Sequence, residues 1–92
     1  MKIISTEQVQ KNLNFDELIP LLKQSFAKPF HMPQRQVHLL DPEDNSKHDA
    51  FALLPSWNEE VIGNKMFPYF PDNSAEYDLP GLFSKIMLFR RT

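Results

Sequence analysis

Apolar residues change their spacing partway along the chain. In the first quarter they fall at helical intervals. Ser5 stands where an N-cap belongs, with Gln8 three residues on at the capping-box position. Together they predict a short helix ending near Asn12. Asn14 and Glu17 repeat the signal, and Leu18, Leu21, Leu22, Ser25 and Phe26 share one helical face. A second helix is predicted over Phe15–Ala27. Pro20 lies inside it, so the helix either bends there or starts later. Lys2–Ile4 is short, apolar and β-prone enough to be a strand.

Pro29 and Pro33 end the helical region, and seven of the eight prolines follow residue 28. Short strands and turns are predicted from there on. Arg35–Leu40 alternates loosely. The stretch 41–49 is a polar turn of Asp, Asn and Ser that joins two strands as a hairpin. Ala50–Trp57 is the next strand, interrupted by Pro55, and Val61–Phe70 is the third. Residues 71–81 are expected to be loop. Leu82–Phe89 is a fourth strand, almost wholly apolar.

Helices followed by a run of strands make the fold α+β: two N-terminal helices, then a mostly antiparallel sheet of about four to six strands. Residues 1–92 form a single domain. A continuous apolar strand wants cover on both faces, and two helices cannot supply it. The sheet is expected to be completed or covered by a dimer partner, or by residues beyond this chain.

Composition narrows the functional classes. Net charge is −2, so no basic field favours nucleic acid or an anionic membrane. Cysteine is absent, which removes disulfides, thiol catalysis and cysteine metal sites. Glycine occurs only at Gly63 and Gly81, too few for G-x-G-x-x-G or a P-loop. No apolar run approaches a membrane span, and the N-terminus lacks the apolar core of a signal peptide. A cytoplasmic location is the expectation.

Lys65 is the unexpected residue, a charge among Ile62, Met66, Phe67 and Tyr69. Strand alternation puts it on one face with Val61, Gly63, Phe67 and Tyr69. Two readings stand. The stem packs on these neighbours while the ammonium reaches water, or the cation waits at an apolar pocket for a carboxylate. Gly63, on the same face, would leave room for a ligand. Arg35, at the start of a strand after Pro33, is either an exposed strand-end charge or a bidentate carboxylate clamp. His31, His38 and His48 do not have metal-ligand spacing. Asp41, Glu43, Asp44 and Asp49 lack the register and glycine of a calcium loop, and a solvated turn accounts for them. Trp57 is a packing or interface residue.

Six short motifs then occur in order: Pro33-Gln34-Arg35, Leu54-Pro55, Gly63-Asn64-Lys65, Phe70-Pro71-Asp72-Asn73, Leu79-Pro80 and the apolar run Leu82–Phe89. With the opening Ile-Ile-Ser-Thr-Glu-Gln-Val, they resemble the N-terminal part of the ornithine cyclodeaminase/mu-crystallin superfamily over essentially the whole chain. The family comprises NAD(P)-dependent enzymes: ornithine cyclodeaminase, a type of alanine dehydrogenase, and ketimine reductases. The resemblance implies a domain that binds an amino or imino acid and forms a homodimer through its sheet. It implies that Arg35 and Lys65 hold the substrate carboxylate beside the nicotinamide. Leu54 joins them in the substrate site, where the family usually has methionine before the proline.

The departures are as informative. The Rossmann domain is absent, as are the T-x-x-R-T segment with a further carboxylate-binding arginine and the catalytic aspartate of the cyclodeaminases. Leu-Phe-Arg-Arg-Thr replaces the usual acidic ending. No catalytic set is complete here, and nothing in the chain would bind the NAD or NADP that the full-length family uses. The expectation is a substrate-binding and dimerisation domain, inactive alone. The alternative is a stand-alone homodimeric interaction module without ligand or catalysis.

Overall fold

The computed structural model describes all 92 residues. Two capped helices come first. In α1, Thr6–Asn12, the Ser5 hydroxyl accepts the Gln8 N–H at 3.2 Å, and the Gln8 side chain accepts the Ser5 N–H at 2.8 Å. In α2, Phe15–Phe26, Asn14 Oδ1 accepts the Glu17 N–H at 2.9 Å. Pro20 lies within α2, which continues past it to Phe26. Its missing N–H leaves the Asp16 carbonyl without the usual partner, a defect of roughly 3 kcal/mol.

Four strands follow: β1, Gln36–Leu39; β2, Ala50–Trp57; β3, Val61–Tyr69; and β4, Lys85–Arg90. They form one antiparallel meander in the order β1-β2-β3-β4. The fold is α+β, as the sequence pattern implies. The β2–β3 turn is closed by Asn58, whose Oδ1 accepts the N–H groups of Glu60 and Val61 at 2.8 and 2.9 Å.

Three expectations are corrected. Lys2–Ile4 is not a strand, because no neighbouring strand pairs its backbone; it leads into the cap at Ser5. The loop 71–81 contains a short helix, α3, Asn73–Tyr77, closed by Asp78 in the left-handed region at φ 52°. The last strand starts at Lys85 rather than Leu82, and extends to Arg90. Leu82 still bridges Tyr69 in the register of the β3–β4 ladder. The ladder breaks between them at Pro68, which has no N–H to give Phe83.

Pro55 is tolerated inside β2 for a related reason. Residues of an antiparallel strand address their two neighbours alternately. Trp57 exchanges both backbone hydrogen bonds with His31, at 2.7 and 2.9 Å. Pro55, two residues earlier, therefore turns its missing N–H toward the β1 side. There the ladder is open: Gln36 pairs with Leu53, but His31 bridges Trp57. Four residues (Met32, Pro33, Gln34, Arg35) oppose three (Leu54, Pro55, Ser56). This is a β-bulge, with Pro33 and Pro55 on its two sides.

Ala50 and Ala52 are the buried core, at 7% and 4% exposure. Both sit on the central strand β2, flanked by Leu39 and Val37 on one side and by Tyr69 and Phe67 on the other. Larger neighbours close over the two small side chains. Elsewhere the sheet is open. Every residue of β1 and β4 is exposed, and neither α1 nor α2 packs on a strand. The radius of gyration is 16.8 Å, against about 12 Å for a compact domain of this length. No helix is long and apolar enough to cross a membrane.

Candidate functional site

The bulge forms a groove of about 490 Å³, lined by Met32, Pro33, Gln34, Arg35, Leu54, Pro55 and Ser56. Two of the three sequence-predicted site residues, Arg35 and Leu54, are in its wall. The third, Lys65, is directly across from Leu54 in the β2–β3 ladder. Opposed residues project to the same face of a sheet, so Lys65 and Leu54 share one. Arg35 is one step beyond the Gln36–Leu53 pair, where the ladder opens, and it lines the groove together with Leu54. Leu54 thus stands between the groove that Arg35 lines and its ladder partner Lys65. Both cations are exposed.

Exposed like charges repel only weakly in water, and salt reduces this further. The chain can hold both without a carboxylate between them. Among the lysine and arginine side chains only that of Arg91 hydrogen-bonds within the chain, to the Asn58 carbonyl at 2.9 Å. The Lys65 ammonium lies over the Phe67 ring, 5.8 Å from its centroid. Both residues are on the same face, two positions apart. An exposed cation–π contact is worth about 0.5–1 kcal/mol, weak enough for the ammonium to leave it for an anion. Lys65 is exposed.

The space that Gly63 leaves is only partly free. A Cβ there would come within 3.1 Å of Leu88 Cδ2, so the Leu88 side chain leans over the glycine. Leu88 faces Gly63 from β4, and Ser56 faces it from β2. Ser56 is a groove residue that the sequence reading passed over. Its signal was position: two residues after Leu54 on an alternating strand, and next to Pro55.

The other polar candidates lie elsewhere. The His31 ring stacks on Trp57, with centroids 5.6 Å apart and planes 25° apart. His38 Nε2 is 3.3 Å from Gln36 Oε1. In the β1–β2 turn, Asp44 Oδ1 accepts the Ser46 hydroxyl at 2.6 Å and the Ser46 N–H at 2.9 Å. These bonds hold the Asp44 carboxyl below its ordinary value. Asn73, the last residue of Phe70-Pro71-Asp72-Asn73, donates its amide to the Pro80 carbonyl at 3.2 Å. It ties the loop around α3 rather than joining the groove.

No family model matches the chain. It is similar to Delta(1)-pyrroline-2-carboxylate reductase of Colwellia psychrerythraea, with 77% identity over 91 residues, 99% of this chain. The chain spans 29% of the length of that protein.

Proposed function

We propose that this chain is part of a longer NAD(P)-dependent enzyme of the ornithine cyclodeaminase/mu-crystallin superfamily, the part that holds the carboxylate of an amino or imino acid. The carrying observation is that Arg35 and Leu54 line one groove while Leu54 pairs with Lys65 in the β2–β3 ladder. The name of the similar protein points to a cyclic imino acid, Delta(1)-pyrroline-2-carboxylate, as the ligand class.

Each residue has a distinct task. Arg35 presents a planar fork that matches both carboxylate oxygens. Lys65 supplies a second, mobile cation from the opposite side. Leu54 gives the apolar floor between them. Closing the site against water would strengthen both pairings.

Hydride transfer needs a nicotinamide, and these residues do not fit one. The sheet is antiparallel throughout, with no βαβ unit. Gly63 is within a strand, and Gly81 is pressed against the Phe70 carbonyl. We assign cofactor binding and the hydride step to residues outside this chain, and regard the chain alone as inactive. The exposed apolar surfaces of the sheet favour cover by a second copy, so a homodimer is part of the proposal.

Thermal shift with proline and with proline methyl ester tests the carboxylate site. A ligand at about 100 times its Kd stabilises the folded state by ~2.7 kcal/mol. Proline should raise the melting temperature and the ester should not. An equal response to both would sink the carboxylate role. A concentration-dependent dimer with no response to either would favour a pure interaction module.

A further inference from the structure

We infer that the Ser56 hydroxyl is the third ligand group of this groove and addresses the α-nitrogen of the bound acid. The inference rests on the carboxylate reading above and extends it to the rest of the ligand. Ser56 lines the same groove as Arg35. Its pairing with Gly63 puts it on the face that carries Leu54 and Lys65. It is half-buried, and its hydroxyl makes no hydrogen bond within the chain, unlike those of Ser5, Ser25 and Ser46.

Position assigns the role. Ser56 is one pleat along β2 from Leu54, roughly 6.8 Å away. Arg35 shares the groove with Leu54 and Lys65 pairs with it, so a carboxylate held by both cations lies near Leu54. The ligand atoms beyond the carboxyl carbon then extend along β2, toward Ser56 or toward Ala52. The Ala52 direction is closed, because Val37 and Phe67 flank that alanine and it is buried. The Ser56 direction opens into the bulge. The α-nitrogen is separated from the carboxyl carbon by a single carbon, so it is the first polar atom that Ser56 meets. A protonated amine or iminium there donates to the Ser56 oxygen. Leu88, leaning over Gly63, provides apolar surface for the carbon part of the ligand.

The test uses the protein as its own gene encodes it, with proline and cyclopentanecarboxylate as calorimetric probes. The two share ring size and carboxylate, and only proline has the nitrogen. Ser56→Ala should weaken proline about tenfold, the scale of one charge-assisted hydrogen bond. It should leave cyclopentanecarboxylate unchanged, and Ser56→Thr should retain the preference for proline. An equal loss on both probes would make Ser56 a packing residue and overturn the inference. So would an unchanged proline affinity. If neither probe binds the unmutated protein, the carboxylate site itself fails, and the role of Ser56 with it.

Discussion

Leu54 and Lys65 face each other across the β2–β3 ladder, and this pairing sets a lone charge beside the groove that Arg35 lines. The carboxylate reading stands on it. Arg35→Ala or Lys65→Ala should each weaken proline binding by roughly 1–3 kcal/mol, the range for a lost hydrogen bond to a charged group. Arg35→Lys should recover only part, since an ammonium lacks the bidentate fork. Calorimetry decides this, and unchanged affinity in both alanine variants would remove the two-cation site.

The two glycines should respond differently to a methyl group. A Cβ at Gly81 would sit 2.9 Å from the Phe70 carbonyl oxygen, and the Gly81 carbonyl accepts the Phe70 N–H. Backbone cannot yield cheaply, so Gly81→Ala should destabilise by about 1–3 kcal/mol. At Gly63 the obstacle is the flexible end of Leu88. Gly63→Ala should stay within about 1 kcal/mol of neutral, because relief of glycine's entropy offsets crowding. Urea unfolding of both variants checks the order, and a larger cost at Gly63 would contradict it.

Asn64 is on the face opposite Lys65, and its Oδ1 is buried without a hydrogen-bond partner. Its cross-strand neighbours, Pro55 and Met87, have no side-chain donor. An unpaired buried oxygen costs about 1–3 kcal/mol. Asn64→Val should therefore stabilise the fold by that order, and valine suits a strand. A drop in the unfolding midpoint would mean that a donor reaches Oδ1 in the assembled protein.

Asp44 gives the chain a local acid dependence. The Ser46 hydroxyl, and after it the Ser46 N–H, lower its pKa from the ordinary 3.8. A carboxyl with a depressed folded pKa stabilises fully above its unfolded value. That stabilisation is lost as pH falls through the folded value. Ser46→Ala removes the larger cause, so the Asp44 carboxyl should titrate at higher pH. NMR titration of its carboxyl carbon reads this directly, and an unmoved midpoint would refute the assignment.

Local chemistry made much of the fold legible in the sequence. Ser5 with Gln8, and Asn14 with Glu17, set the helix starts because caps act over three residues. The hairpin turn at 41–49 and the span of β2 followed from turn residues and alternation. Arg35, Leu54 and Lys65 stood out as candidates by residue type and motif order.

Long-range pairing decided the rest. Which face each residue takes depends on register, and register is a relation between strands. The bulge that opens the groove comes from a one-residue mismatch between His31–Trp57 and Gln36–Leu53, which neither segment contains alone. The late start of β4 depends on Pro68, a residue of the neighbouring strand. Ser56 became a candidate only when pairing with Gly63 put it on the Lys65 face. Sequence determined the two N-terminal helices, the run of strands after them and which charges stand out, because those are short-range effects. Tertiary structure decided which of these residues meet, because a ladder joins positions far apart in the chain.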